Sequence, residues 1–391
     1  MAYLDNAAST PLRPGAAGSI AAELERTGNP SSLHGSGRRA RRAVEESREL
    51  IAEQWGVTPL EVVFTGGGTE GDNIAVKGLL WSALQTDPKH RVLVISEVEH
   101  HAVLDPAEWL AATGQAELVT VGVDSGGRVH PESLAAVLDE YGDAVAAVSV
   151  IWVNNEVGTV QPIGELAALC AERGVPMHSD AVQAACFGAP AIPPGLTAAT
   201  ITGHKSGGPL GVGALFVARD AGLVPLLHGG GQERNLRSGT VSAPGAVGLA
   251  AGLTESAEDT GGPQRVADLR DALIAGVLRV QPDAVLNADP EHRAPGIANF
   301  SFPGCDGDAL LMLLDAAGVQ CSTGSACTSG VPEPSHVLRA MGVDDALARG
   351  SLRFSLGWAS TRDDVDALID ALPGAVARAQ RAGAISSRSA R

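Results

Sequence analysis

Aromatic side chains are scarce in this 391-residue chain: Phe, Trp and Tyr together make up 3% of it. A core with so few large rings must close by packing small residues, and abundant Ala with 48 Gly can do that. Cysteine is sparse too. The five residues Cys170, Cys186, Cys305, Cys321 and Cys327 include no pair at the two-residue gap of a zinc knuckle, and no metal is expected. Their odd number suits reduced thiols rather than a disulfide framework. Positive charge is short as well, with 28 Lys and Arg against 45 Asp and Glu, a net −17. That excludes a general binder of phosphate backbones, so no direct nucleic-acid contact is expected. No apolar run is long enough to span a bilayer. The stretch Met1 to Asn6 lacks the basic region followed by an apolar segment that marks a secretory leader. The expectation is a cytoplasmic protein with no membrane association.

What is present is the balance of an ordered globular protein, 45% hydrophobic and 19% charged. The length calls for two domains. An arm containing Pro11 and Pro14 leads to a helical periodicity from Arg38 to Trp55, whose arginines are balanced by Glu45, Glu46 and Glu49, as on a solvated face. Short apolar runs then alternate with helix-like stretches: Glu61 to Phe64, Arg91 to Ile95, Ala144 to Val153, Gly174 to Met177, Ala198 to Thr202 and Val212 to Val217. Continuous apolar runs between helices indicate buried strands of a mostly parallel sheet. The pattern changes at a polar, Gly-containing stretch near 258–263. The expected division is a large domain over 13–258, a small α+β domain of 1–12 plus 259–380, and a disordered tail over 381–391.

Each strand is followed by polar or glycine residues. Phe64 leads to Thr65-Gly66-Gly67-Gly68-Thr69, Ile95 to Ser96 through His101, and Val153 to Asn154-Asn155-Glu156. Met177 leads to His178-Ser179-Asp180-Ala181-Val182-Gln183, and Thr202 to Gly203-His204-Lys205. Ligands of parallel α/β sheets sit outside the carboxyl ends of the strands, so five such ends describe one site. Gly66, Gly68 and Gly71 fit the dinucleotide pattern G-x-G-x-x-G, yet glycines followed by Thr69 serve a single phosphate at a helix N-terminus equally well. Lys205 at one strand end and Asp180 near another separate the two. A nicotinamide site needs neither, whereas pyridoxal phosphate needs an amine for a Schiff base and an acid to keep its ring nitrogen protonated.

Taken in order, these segments resemble the cysteine desulfurases, in particular the group serving nitrogenase and general iron–sulfur assembly. The likeness runs through Leu4 to Ala8, Gly28-Asn29-Pro30, Phe64 to Asn73, Glu99-His100, Asn154 to Gly158, Asp180 to Gln183, Gly203 to Lys205, His228 to Arg234, Arg237 to Thr240, Ser322 to Thr328 and Arg353 to Gly357. It implies an aminotransferase-like (fold type I) α/β fold with a seven-stranded, mostly parallel sheet and pyridoxal 5'-phosphate as cofactor. Lys205 would carry the cofactor, Asp180 would pair with its ring nitrogen, and His100 would stack on the ring and shuttle protons. Gln183 and Asn155 would contact the ring oxygen or the substrate. Gly68, Thr69, Thr202, Gly203 and His204 would hold the phosphate, with Thr240 reaching in from a second subunit of a homodimer. Arg353 would clamp the substrate carboxylate, which its planar fork suits.

Cys327 is the implied chemical centre. Its thiolate would attack the sulfur of L-cysteine, leaving alanine and a persulfide on the enzyme. Small neighbours, from Ser322 to Ala326, suit a loop that travels; Cys321 has no assigned role. After Lys205 the chain reads Ser206-Gly207-Gly208-Pro209-Leu210 where many relatives carry bulkier and basic residues, and it ends soon after the last helix of the small domain. The implied acceptor is therefore an iron–sulfur scaffold or, equally, a tRNA-thiolation enzyme. Another lyase or aminotransferase on the same cofactor, and a non-catalytic sulfur-transfer scaffold, are the competing readings.

Overall fold

The apolar runs assemble as strands of one seven-stranded sheet in the computed structural model. The structure describes residues 1–188, 190–323 and 334–389, with side chains to 381 in the last stretch, and Cys327 lies outside the described residues. In spatial order the strands are Val62–Thr65, Gly213–Val217, Ala198–Thr202, Met177–Asp180, Val145–Ser149, Val92–Ser96 and Glu117–Val121. Gly213–Val217 runs antiparallel to both neighbours. The other pairings are parallel, so the carboxyl ends of the central strands open on one side.

Three differences from the expected strands are informative. Glu117–Val121 is a strand at the sheet edge whose residues are mostly partly exposed, so it lacks the continuous apolar run of the buried strands. The run from Ala144 forms a strand only as far as Ser149, and Val153 makes an isolated bridge to Val160. The stretch Gly174 to Pro176 lies before the strand, which is Met177–Asp180, so His178, Ser179 and Asp180 lie within it rather than after it. Polar residues survive at these buried positions because each is bonded: Ser179 Oγ donates to the Val150 carbonyl at 2.7 Å, and His178 bonds Ser149 and Thr200.

From the edge strand Val62–Thr65 the chain crosses over the sheet through the helix Gly68–Thr86 to reach Val92–Ser96. Glycine makes the close crossing possible. A Cβ on Gly71 would lie 2.6 Å from Thr200 Cγ2, and one on Gly213 would lie 2.5 Å from the Ile201 carbonyl.

A second core draws on Ala2, Leu4 and side chains from Val266 to Ala379. It packs a three-stranded antiparallel sheet, with Ile297–Ser301 between Val285–Asn287 and Ser351–Ser355, against the helices Gly262–Val280 and Arg362–Ser389. The last helix includes residues 381–389, assigned above to a disordered tail. We propose the domain division at about residue 258 on the strength of this separate core. Among the described residues no helix is long and apolar enough to cross a membrane.

The exposed side of the edge strand Val62–Thr65 is closed by a buried ion pair. Arg48 Nη1 donates to the Val62 carbonyl (2.7 Å), and the Phe64 N–H donates to Glu233 Oε2 (2.7 Å). Arg48 and Glu233 meet through two hydrogen bonds of 2.8 and 2.7 Å. Glu233 begins a turn of three residues with positive φ, Glu233, Arg234 and Asn235, that aims its carboxylate at the strand. The pair satisfies edge groups that would otherwise invite another strand. Arg48→Met is predicted to cost about 3–5 kcal/mol, because Glu233 is left buried without its cation. The urea unfolding midpoint measures this. A second change, Glu233→Leu, should return part of the loss, and an unshifted midpoint in Arg48→Met would reject the assignment.

Candidate active site

The carboxyl ends of the central strands and the first turn of the helix Gly68–Thr86 enclose one cavity. Its walls include nine of the residues expected at the site: Gly68, Thr69, His100, Asn155, Asp180, Gln183, Thr202, His204 and Lys205. Gly203 stands behind the wall, its N–H donating to the Val212 carbonyl at 2.9 Å, and a Cβ there would meet the Pro209 carbonyl at 2.5 Å.

Local sequence places each group. Gly67, at φ 150°, turns the chain from strand to helix, so that the first-turn N–H groups of Gly68 and Thr69 have no helical acceptor. Together with the Thr69 hydroxyl they form an anion-binding end. His100 caps the next helix, His101–Ala112, its Nδ1 accepting the Ala102 N–H at 3.1 Å; Nε2 is thus left to carry the ring proton. Asp180 Oδ1 accepts the Val182 N–H at 2.9 Å. The amide of Gln183 donates to the Ala7 carbonyl (2.8 Å), and the Thr10 N–H donates to the His204 carbonyl (2.8 Å), so the N-terminal arm holds both Gln183 and the turn that carries Lys205.

The electrostatics are those of an enclosed site short of one cation. Burial pushes the Lys205 amine below the usual lysine range, and among the described residues no hydrogen bond or ion pair holds it. Asp180 is pushed up to about 7, first by burial and then by Asp72. Burial, with Lys205 adding repulsion, lowers His100 to about 4, so its ring is neutral near neutrality. Glu99 bridges two strand ends, accepting from Ser96 Oγ and the Ile151 N–H, and burial raises it to about 8.

Pyridoxal phosphate fits this donor set. Among the described residues, Lys205 offers an amine free to bond its aldehyde, Asp180 a carboxylate without an ion-pair partner, and the helix terminus unbonded N–H groups. A further buried atom, Asp72 Oδ1, has no hydrogen-bond partner.

Three expected residues stand elsewhere. Arg353 is buried beside the cavity, donating to the Asn155 carbonyl (2.9 Å) and to Asp5 Oδ1 (2.7 Å). Thr240 is exposed, in a groove with Glu23 and Asn29, away from the cavity. Cys327 lies outside the described residues. Sequence reasoning missed Asp72, which lines the cavity, and the role of His178 behind it. The four-residue spacing from Gly68 to Asp72, about one helical turn, was the available signal.

A stability prediction follows from Asp180. Its folded pKa of about 7 stands above the ordinary 3.8, so its buried form is neutral at low pH and becomes charged as pH rises through that window. Its contribution to stability is therefore lost with rising pH. The cofactor-free Asp180→Asn protein should be more stable than the cofactor-free parent at pH about 8, by on the order of 2 kcal/mol. The advantage should shrink toward pH about 4. Urea midpoints at both pH values test this, and an advantage independent of pH would contradict it.

The chain matches the aminotransferase class-V family over residues 2–368. It is 52% identical to an "IscS-like cysteine desulfurase" of Mycobacterium tuberculosis, with all of both chains covered. Among solved structures it resembles a NifS-like protein at TM-score 0.86 and 32% identity, covering 96% of this chain and 100% of that one. It also resembles a structure titled "SspA in complex with cysteine", at TM-score 0.80 and 30% identity, covering 92% and 100%. With the lysine cavity at the ends of a seven-stranded sheet, these likenesses show that the chain belongs to the pyridoxal-phosphate-dependent cysteine desulfurases of the class-V aminotransferase family.

Proposed function

We propose that this chain converts L-cysteine to L-alanine and takes the sulfur onto Cys327 as a persulfide. The observation that carries the reading is the free, buried Lys205 amine facing Asp180 in a cavity built from strand ends and a helix N-terminus. Pyridoxal phosphate, when bound, supplies an electron sink that weakens the bond between the substrate's β-carbon and its sulfur.

The chain's own residues do the rest. Lys205 holds the cofactor, Asp180 keeps the proton on its ring nitrogen, and Gly68, Thr69, Thr202, Gly203 and His204 form the phosphate end. His100 would lie against the bound ring and, with Nδ1 occupied by the Ala102 N–H, is set to donate from Nε2 rather than to accept at Nδ1. Asn155 and Gln183 orient ring oxygen and substrate. Arg353 receives the substrate carboxylate, for which it must exchange its bond to Asp5. The Cys327 thiolate attacks the substrate sulfur; the S–S bond forms as the C–S bond breaks, the β-carbon gains a proton, and alanine leaves.

The working protein in this reading is a cytoplasmic homodimer. Support comes from Thr240, which is exposed away from its own cavity and so could reach a cavity only in another copy. The four described cysteines are unpaired, as a reducing compartment requires. The persulfide passes to an acceptor protein, an iron–sulfur scaffold or a tRNA-thiolation enzyme.

Cys327→Ala is expected to stay yellow and bind cysteine, while sulfide release with a reductant falls by at least about a hundredfold. Lys205→Ala should lose both colour and turnover. Undiminished sulfide release by Cys327→Ala would remove Cys327 from the reaction.

A further inference from the structure

Asp72 has no part in the roles assigned above, yet it is buried more deeply than Asp180, at 1% exposure against 4%, and lines the same cavity. It arrives there because Gly71 lets the helix Gly68–Thr86 rest directly on Thr200 of the strand Ala198–Thr202. A chain of buried hydrogen bonds ends beside it, at Thr200. Ser149 Oγ lies 2.9 Å from His178 Nδ1, His178 Nε2 lies 3.0 Å from Thr200 Oγ1, and Thr200 favours the ionised form of Asp72.

The direction of this chain follows from its end. Burial raises Asp72 to about 7 while Thr200 favours its ionised form, as a hydroxyl turned toward the acid does, which leaves the Thr200 oxygen to accept from His178 Nε2–H. The neutral ring then accepts at Nδ1, and Ser149 donates. His178 lies 3.4 Å from the unbonded Asp72 Oδ1, but burial holds the imidazole near a pKa of 4, so this contact is not an ion pair. Three strands thus contribute groups behind the Asp72 carboxylate, which itself lines the cavity.

We propose that Asp72 is a positioning residue for the cofactor: backed by the Ser149–His178–Thr200 chain, it acts across the cavity to keep the proton on the nitrogen that joins Lys205 to the cofactor. The inference rests on the cofactor reading of the site. The other ionisable groups facing Asp72 cannot take this part. His178 on the strand Met177–Asp180 and His100 at its helix cap are neutral near neutrality. Glu99, from the segment after Val92–Ser96, is raised by burial to about 8, above the value of about 7 to which burial raises Asp72, and Asp180 has the ring-nitrogen role proposed above. Against burial and Arg353, Lys205 is raised by Asp180, by Cys186 and then by Asp72, and Lys205 in turn lowers the Asp72 carboxyl. Thr200 sharpens the effect, since it favours the ionised acid.

The test is a pH titration of the yellow absorption of the purified holoprotein, a readout independent of turnover. Asp72→Asn should lower the midpoint by about one pH unit, the scale of a nearby charge in a buried site. Thr200→Val, which removes the hydroxyl and keeps the shape, should move it the same way by less, and Asp72→Glu should restore it toward the parent. A wild-type midpoint in the yellow Asp72→Asn protein overturns the proposal. If that variant fails to fold or to keep the cofactor, an unchanged midpoint in Thr200→Val overturns it instead. A parent protein without a Lys205-dependent yellow band would overturn the cofactor reading itself, a separate result.

Discussion

Removing one lysine amine from water is the constraint from which the rest of this site follows. A buried ammonium without a partner is costly, and Lys205 has no ion pair among the described residues. The surroundings answer with two buried carboxylates, Asp72 and Asp180, placed on different elements and kept from neutralising the amine by direct contact. Asp72 also raises the proton affinity of Asp180, and burial raises both. Such an arrangement is a poor design for stability alone. It becomes sensible once a cationic ring nitrogen and an aldehyde occupy the space between, because each buried charge then has a partner.

The scaffold that imposes this arrangement is stiff where it must be. Small residues allow a helix to lie on the sheet at Gly71 and a strand to pass beneath Gly67 at Gly213. The N-terminal arm ties down the Lys205 turn and Gln183 by backbone bonds, and joins the second core through Ala2 and Leu4. At the sheet's edge, Arg48 and Glu233 end the ladder with side chains. Their ion pair is buried, so its value lies in matching the Val62 carbonyl and the Phe64 N–H at the edge rather than in Coulomb attraction. Arg353 couples the two cores at the cavity, since it belongs to the small sheet and bonds the loop of Asn155 and the arm at Asp5.

Much of this was readable from residue order. The buried strands were visible as continuous apolar runs, because both of their faces are covered and no alternation interrupts them. The site was visible as polar and glycine residues recurring at the ends of those runs. The edge strand Glu117–Val121 was not visible, since its half-exposed residues carry a mixed pattern. Nor was the strand identity of His178, Ser179 and Asp180, because polar residues inside a buried strand look like a loop until their partners are known.

By itself, then, the sequence determined the alternation of strands and helices and the inventory of chemical groups, since periodicity and strand-end composition are set by near neighbours along the chain. Only the tertiary structure decided which groups meet. Glu233 reaches the Phe64 N–H from 169 residues away, and His178 bonds Ser149 and Thr200 across neighbouring strands. Asp72 faces Lys205 because a helix lies close on a strand at a glycine. The physical reason is that a buried polar group is stable only with its partner, and the partner is supplied by sheet order and close packing, which no local pattern encodes.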